Sequence, residues 1–412
     1  MDQTVSPAMS FDAAIDRLID LTLSAGPREA LTDKYFSHTK RIAEANGDCE
    51  VTYAVFMRRR VIAALSPACR IIERLAPDAK IKRFFADGEV VLTEQKLMEV
   101  TGPFSQLSEL ETLLLQKVGL PCVAANNAYE MCRAMPSAAF MDMHARHGSG
   151  PEMNLLAAYG AAVGSNAARA EDTKIVGFTG SSQDLTAPMF GAERGMGTMP
   201  HALIGLTGGD VVEATKLFVE ALPDNPVAFA LVDYSGREIT DSLACAKWFY
   251  DEAGLHEQGK TFGVRLDTHG GRFAEGLDYE LSVKTVGDWM GVSGEYTIVE
   301  NVLGLRAFQL DASNILVDRV RRILFGAGVS VAAVIHTREA LDQAGYQDAK
   351  IVASSGFGVQ KCQVMGAANA PVDMVGTGSF LPATLAETYA TADVIAYDGH
   401  KRVKVGREFL FD

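Results

Sequence analysis

Phe262-Gly263-Val264-Arg265-Leu266-Asp267 is a short apolar run that closes on an Arg and an Asp two residues apart. Alternate side chains of a strand share a face, so Arg265 and Asp267 point the same way. Six more runs of this kind flank it: Ala139-Phe140-Met141-Asp142, Lys174-Ile175-Val176-Gly177-Phe178, Ala228-Phe229-Ala230-Leu231-Val232-Asp233, Tyr296-Thr297-Ile298-Val299-Glu300, Ala349-Lys350-Ile351-Val352-Ala353-Ser354 and Val372-Asp373-Met374-Val375-Gly376. Helical patterns such as 242–253 and 315–324 separate them. Alternating strand and helix predicts a parallel sheet closed into a β/α barrel over about residues 121–386. In such a barrel the residues just past the strand ends gather at one mouth. Asp233, Asp267, Ser354 and Gly376 occupy such positions.

The first third is mixed. Residues 11–23 carry Leu18, Ile19, Leu21 and Leu23 on helical spacing, and 31–45 and 109–119 also read as helices. Val51-Thr52-Tyr53-Ala54-Val55-Phe56 is a strand candidate. The expected fold is α/β: an irregular β/α barrel (121–386) with a smaller α/β domain formed by 1–120 and 387–412.

At 412 residues the chain is long enough for two domains or one large barrel with additions. Its 48% hydrophobic and 22% charged residues are those of an ordinary globular protein. The net charge of -14 argues against a nucleic-acid partner, which needs clustered Lys and Arg. It leaves room for a phosphorylated metabolite where basic groups are local. No apolar run reaches the roughly 18–20 residues of a membrane span. Residues 1–20 carry Asp2, Asp12 and Asp16 and no basic leader, so a signal peptide is not expected. Six scattered cysteines with no CxxC pair fit reduced thiols in a cytoplasm and give no zinc signature.

Two Gly-rich turns follow late strands: Ser354-Ser355-Gly356-Phe357-Gly358 and Gly376-Thr377-Gly378-Ser379. Glycine lets backbone N–H groups approach an anion, and hydroxyls assist. One such turn reads as a plain tight turn. Two at late strand ends favour phosphate, with Ser354, Gly356, Gly376, Thr377 and Gly378 as the candidates. Arg265 could meet a second anion, pyrophosphate or carboxylate, bidentately. Asp267, and equally Asp233, could hold Mg²⁺ or a ribose hydroxyl. A structural ion pair is the plainer alternative. His269 and Arg272 in the next loop add positive charge. His201 ends Gly197-Thr198-Met199-Pro200-His201 and opens a helical segment. A lone histidine is more often structural than catalytic. To accept a phosphoryl group it needs a free ring nitrogen and a partner that fixes its tautomer.

In this order the segments resemble the nicotinate phosphoribosyltransferase family, among the type II phosphoribosyltransferases. Leu31-Thr32-Asp33-Lys34-Tyr35-Phe36 with Thr39 is similar to its TDxY segment. Gly102-Pro103-Phe104 and Glu111-Thr112-Leu113-Leu114-Leu115 resemble its ETLLL helix, Gly180-Ser181-Ser182-Gln183 its GxSN turn, and 197–201 its GTM-x-H segment. The resemblance implies that nicotinate and phosphoribosyl pyrophosphate give nicotinate mononucleotide and pyrophosphate in NAD salvage. It implies that ATP phosphorylates His201, that Mg²⁺ accompanies the phosphorylated substrates, and that Asp233 and Asp267 serve the chemistry. It implies that Tyr35 stacks on the base in a neighbour's site, so a homodimer or a multiple of it is expected. Arg146 and Arg265 match the barrel arginines, and Ser182 and Thr198 the substrate contacts. The chain departs where the family commonly has an aromatic, here Met143, and at a second arginine, here His147. Ser182 favours nicotinate over nicotinamide, because a hydroxyl donates to a carboxylate where an Asp would repel it. A helix cap is the plainer reading of Ser182. A transferase for a related pyridine base, or a non-catalytic metabolite-binding paralogue, remains the alternative; a phosphorylatable histidine speaks against the latter.

Overall fold

The computed structural model describes residues 11–304 and 315–411. The first strand is β1 (Glu50–Met57). After it come β2 (Val61–Ile62), β3 (Lys80–Arg83), β4 (Val90–Val91) and β5 (Lys96–Pro103). The alternation in β1 sorts its side chains between two cores. Val51, Tyr53, Val55 and Met57 join the main core, whereas Ala54 and Phe56 meet Ile395 and Leu410 on the other face. The C-terminal strands β12 (Ala390–Tyr397) and β13 (His400–Lys401) return to this layer. The antiparallel sheet has the order β13-β12-β1-β5-β3.

Between them lie β6 (Ala139–Asp142), β7 (Gly177–Ser181), β8 (Val227–Leu231), β9 (Thr261–Leu266), β10 (Lys350–Ala353) and β11 (Met374–Thr377). They form one parallel sheet in the order β7-β6-β11-β10-β9-β8. Sequential neighbours pair along it, and the last strand, β11, pairs with the first, β6. That is the order of a barrel, since an open doubly wound sheet has no last-to-first closure. The circle is irregular: its one unbonded seam lies between β7 and β8.

Two strand expectations are corrected. Tyr296-Thr297-Ile298-Val299-Glu300 lies in a helix, Glu295–Leu303. Its β-branched residues imitate a strand, but Ile298 and Val299 are buried on one helical face and Gly304 ends the helix in the left-handed region. The run predicted at 174–178 forms its strand later, at Gly177–Ser181. Gly177 has φ +66 and breaks the run, while the Arg169 guanidinium takes the Val176 carbonyl out of the ladder.

Six helices precede the seam in the described residues: α1 (Phe11–Ser24), α2 (Lys34–Asn46), α3 (Ser66–Leu75), α4 (Phe104–Gln116), α5 (Gly119–Ala134) and α6 (Pro151–Glu171). Helices α5 and α6 cross closely because Gly160 and Gly164 share a face of α6. A Cβ on Gly164 would stand 2.0 Å from the Ala125 carbonyl oxygen, and one on Gly160 2.4 Å from that of Pro121. We expect Gly164→Ala to destabilise by about 1–3 kcal/mol or more through overpacking, read by chemical denaturation; an unchanged midpoint would contradict this crossing.

Glu111 on α4 hydrogen-bonds Tyr53 of β1, and burial raises its carboxyl to about 8 from 4.5. A carboxyl raised on folding favours the fold when protonated. Its contribution is full below pH 4.5 and is lost as pH rises through about 8. Glu111→Gln should therefore be more stable than the parent at about pH 9 and differ little at about pH 5 in denaturant titrations.

Candidate active site

The strand ends open on a cavity of about 790 Å³. Met143, Arg146 and His147 reach it from beyond β6, Ser182 from β7, Arg265 and Asp267 from β9, and the two Gly-rich loops from β10 and β11. The segment 196–201 enters from the seam side. Thus the site residues expected from sequence converge, with two exceptions. Asp233, past β8, reaches the cavity through His201. Tyr35, at the start of α2, is 62% exposed, packs on Phe36 at 4.2 Å between centroids and does not line the cavity.

His201 is the first residue of α7 (His201–Leu206). Its Nε2 lies 3.0 Å from each carboxylate oxygen of Asp233. Asp233 is buried, which pushes its carboxyl up, and His201 draws it part of the way back. The carboxylate selects the tautomer with Nε2–H as donor. Nδ1 then carries a lone pair, with no protein partner among the described residues. The pair supplies what the lone histidine lacked in sequence: an orienting partner and a free nitrogen.

Arg265 is buried and holds the seam. Its Nη1 donates to the Thr198 hydroxyl at 2.6 Å and to the Met199 carbonyl at 3.2 Å. Its Nη2 donates to Asp267 at 3.1 Å. Nε is buried without a partner, and one Nη2 hydrogen is not used by the protein contacts. The expected Arg272 charge is cancelled instead by buried Glu238 at 2.5 Å, and Arg272 also donates to the Asp233 carbonyl. Arg146 is exposed and makes no ion pair among the described residues, so it remains a cation at the rim.

The phosphate candidates divide. The Ser354 hydroxyl donates to Asp267 at 3.0 Å or to the Leu266 carbonyl, and Thr377 donates to the Phe357 carbonyl at 2.6 Å. Their single hydrogens are thereby committed, so neither hydroxyl is a free donor to phosphate. Ser355, Gly356 and Gly378 line the cavity, and their N–H groups have no acceptor among the described residues. Glycine at 376 makes room for Met143 rather than for the anion: a Cβ there would lie 2.7 Å from the Met143 sulfur. Glycine at 378 lets the loop sit on His144, whose Cα would be 2.9 Å from a Cβ.

Ser182 lies in a turn and caps no helix; its N–H donates to the Asp142 carbonyl, and its side chain is exposed at the cavity. Sequence reasoning missed two groups. Buried His144 places Nδ1 on Asp142, whose other oxygen accepts from Ser181. Lys361 reaches the Ser355 carbonyl. Both contacts are short in sequence, two residues for His144 and six for Lys361, but neither spacing belongs to a recognisable motif.

Among the described residues no three His, Cys, Asp or Glu are grouped to hold a metal alone. Mg²⁺ asks for less, one or two carboxylates with substrate phosphates completing its shell, and Asp267 fits that demand. All six cysteines are unpaired. No described helix is long and apolar enough to cross a membrane.

Gly376→Val should drive Met143 into the cavity and weaken binding of phosphoribosyl pyrophosphate, the ligand that the sequence resemblance implies, by about tenfold or more. Adding Met143→Ala should recover part of the loss in calorimetry. Equal affinity in Gly376→Val and the parent would contradict this packing.

No protein-family model and no curated protein matches the chain. Solved structures do. A nicotinate-nucleotide pyrophosphorylase from Pyrococcus furiosus matches 98% of this chain over 81% of its own, at 20% identity and TM-score 0.63. Human nicotinic acid phosphoribosyltransferase matches 91% over 76%, at 16% identity and TM-score 0.58. A nicotinate-nucleotide pyrophosphorylase from Ehrlichia chaffeensis matches 93% over 98%, at 11% identity and TM-score 0.53. The chain has the fold that these pyrophosphorylases and this phosphoribosyltransferase share.

Proposed function

We propose that this protein is a type II phosphoribosyltransferase acting on nicotinate. It would make nicotinate mononucleotide and pyrophosphate from phosphoribosyl pyrophosphate, coupled to ATP through a phosphohistidine at His201, in NAD salvage. One observation carries the reading. A single cavity presents the His201–Asp233 pair, the Arg265–Asp267 pair and three free loop N–H groups together. The names of its neighbours in fold agree with this substrate class.

In this reading the N–H groups of Ser355, Gly356 and Gly378 take the 5-phosphate. Arg265 and Arg146 take the remaining anionic charge, and Asp267 meets the Mg²⁺ that travels with the donor. The ring nitrogen of the base forms the bond to ribose C1 as the bond to pyrophosphate breaks. The Ser182 hydroxyl donates to the carboxylate of the base. Nδ1 of His201 attacks the terminal phosphorus of ATP, and ADP leaves with the bonding pair. Asp233 stabilises the imidazole as positive charge develops. Hydrolysis of the phosphohistidine releases inorganic phosphate. Tyr35 serves the site of a second subunit, so the assembly is a homodimer or a multiple of it, and the setting is cytoplasmic. A related pyridine base is the second reading. It is favoured by Met143 and His147 at the cavity, where the family commonly has an aromatic and an arginine.

His201→Ala and His201→Asn should both abolish ADP release and leave a slow, uncoupled transfer, because the donor contacts remain. An Asn variant with parental coupling would refute the phosphohistidine. A panel of pyridine carboxylates assayed with phosphoribosyl pyrophosphate decides the base. Tyr35→Ala and His201→Ala variants, each weak alone, should regain coupled activity when mixed and allowed to exchange subunits; no recovery would contradict the shared site.

A further inference from the structure

The Ser355–Gly356 peptide is held in an unusual backbone. Ser355 has φ +75 and Gly356 φ +70, two successive residues in the left-handed region. Glycine tolerates that conformation, whereas serine adopts it at a cost. Nothing stands within 4 Å of a Cβ at Gly356, so the loop is not pressed into this shape by neighbours there.

What holds it is a set of donors behind the loop. Lys361 Nζ donates to the Ser355 carbonyl at 2.8 Å. Gly358 N–H donates to the Gly356 carbonyl at 3.0 Å, and the Thr377 hydroxyl to the Phe357 carbonyl at 2.6 Å. Three consecutive carbonyls are thus drawn to protein donors. A trans peptide sets its N–H opposite its C=O. Pulling the Ser355 carbonyl toward Lys361 therefore turns the Gly356 N–H the other way. Ser355 and Gly356 line the cavity, and Lys361 does not. The ammonium also sits 4.2 Å from the centroid of the buried Phe357 ring, which fixes its position.

We propose that Lys361 is the positioning residue of the anion site: from behind the loop it aims the Gly356 N–H at the cavity and adds positive potential to it. The role rests on the phosphoribosyl reading for its ligand but not for its geometry. Burial lowers the Lys361 ammonium to about 8, opposed in part by nearby Cys362 and Asp267. Backbone donors aimed at an anion gain strength when their peptide is polarised by a cation.

The test is calorimetric binding of pyrophosphate and of phosphoribosyl pyrophosphate to the full chain. Lys361→Met keeps the stem over Phe357 and removes the donor. It should lose about 10- to 100-fold in affinity for both probes, the range for a hydrogen bond to a charged group. Lys361→Arg should recover much of that loss. In turnover the Met variant should raise KM for the donor far more than it lowers kcat. A folded Met variant that binds both probes like the parent overturns the role of Lys361. If the Met variant does not fold, the Arg variant decides: parental stability with no recovered affinity for the probes overturns the role as well. Parent protein that binds neither probe overturns the phosphoribosyl reading and the anion site with it.

Discussion

The buried guanidinium of Arg265 is the contact on which the site depends. The barrel lacks backbone hydrogen bonds between β7 and β8; the chain in this seam is tied to β7 through the Met196 N–H on the Ser181 carbonyl, and beyond it, at 197–201, by a side chain. Arg265, in β9, donates to Thr198 and Met199 in that segment and to Asp267 at the mouth. A buried arginine is costly unless most of its donors are met, and this one meets two elements at once while its Nε stays unpartnered. It thereby places His201 beside Asp233 and keeps Asp267 at the rim. An irregular barrel with a gap becomes a site because one side chain spans what the ladder does not.

Glycine shapes the same mouth by what it leaves out. Gly376 accommodates the Met143 sulfur, Gly180 that of Met196, and Gly378 the backbone of His144. Gly180, Met141 and Gly376 stand in register across three neighbouring strands. The floor on this side is therefore backbone and thioether. Thioethers are polarisable and adaptable, so this floor can adjust to the shape of what it meets.

Much of this was legible in the chain. The apolar runs ending in Asp233, Asp267, Ser354 and Gly376 marked strand ends that do converge, because a parallel barrel gathers them by construction. The run at 296–300 misled because β-branched residues serve either a strand or one buried face of a short helix, and only the glycine that closes the helix separates the two. Ser354 and Thr377 read as phosphate donors because sequence shows a hydroxyl and not its acceptor. The carboxylate and carbonyl that take their hydrogens come from the loops that follow neighbouring strands.

The sequence by itself determined the alternation of strand and helix, the order of the turns and the residue types at the mouth. Those follow from local period and from which backbone conformations glycine permits. Tertiary structure alone decided the partners: Asp233 for His201, Thr198 for Arg265, Ser355 for Lys361. Each joins residues from different elements. For the first two the distance is set by the packing of strands and of the seam, and for the third by the left-handed turn at Ser355 and Gly356, and no local pattern encodes either.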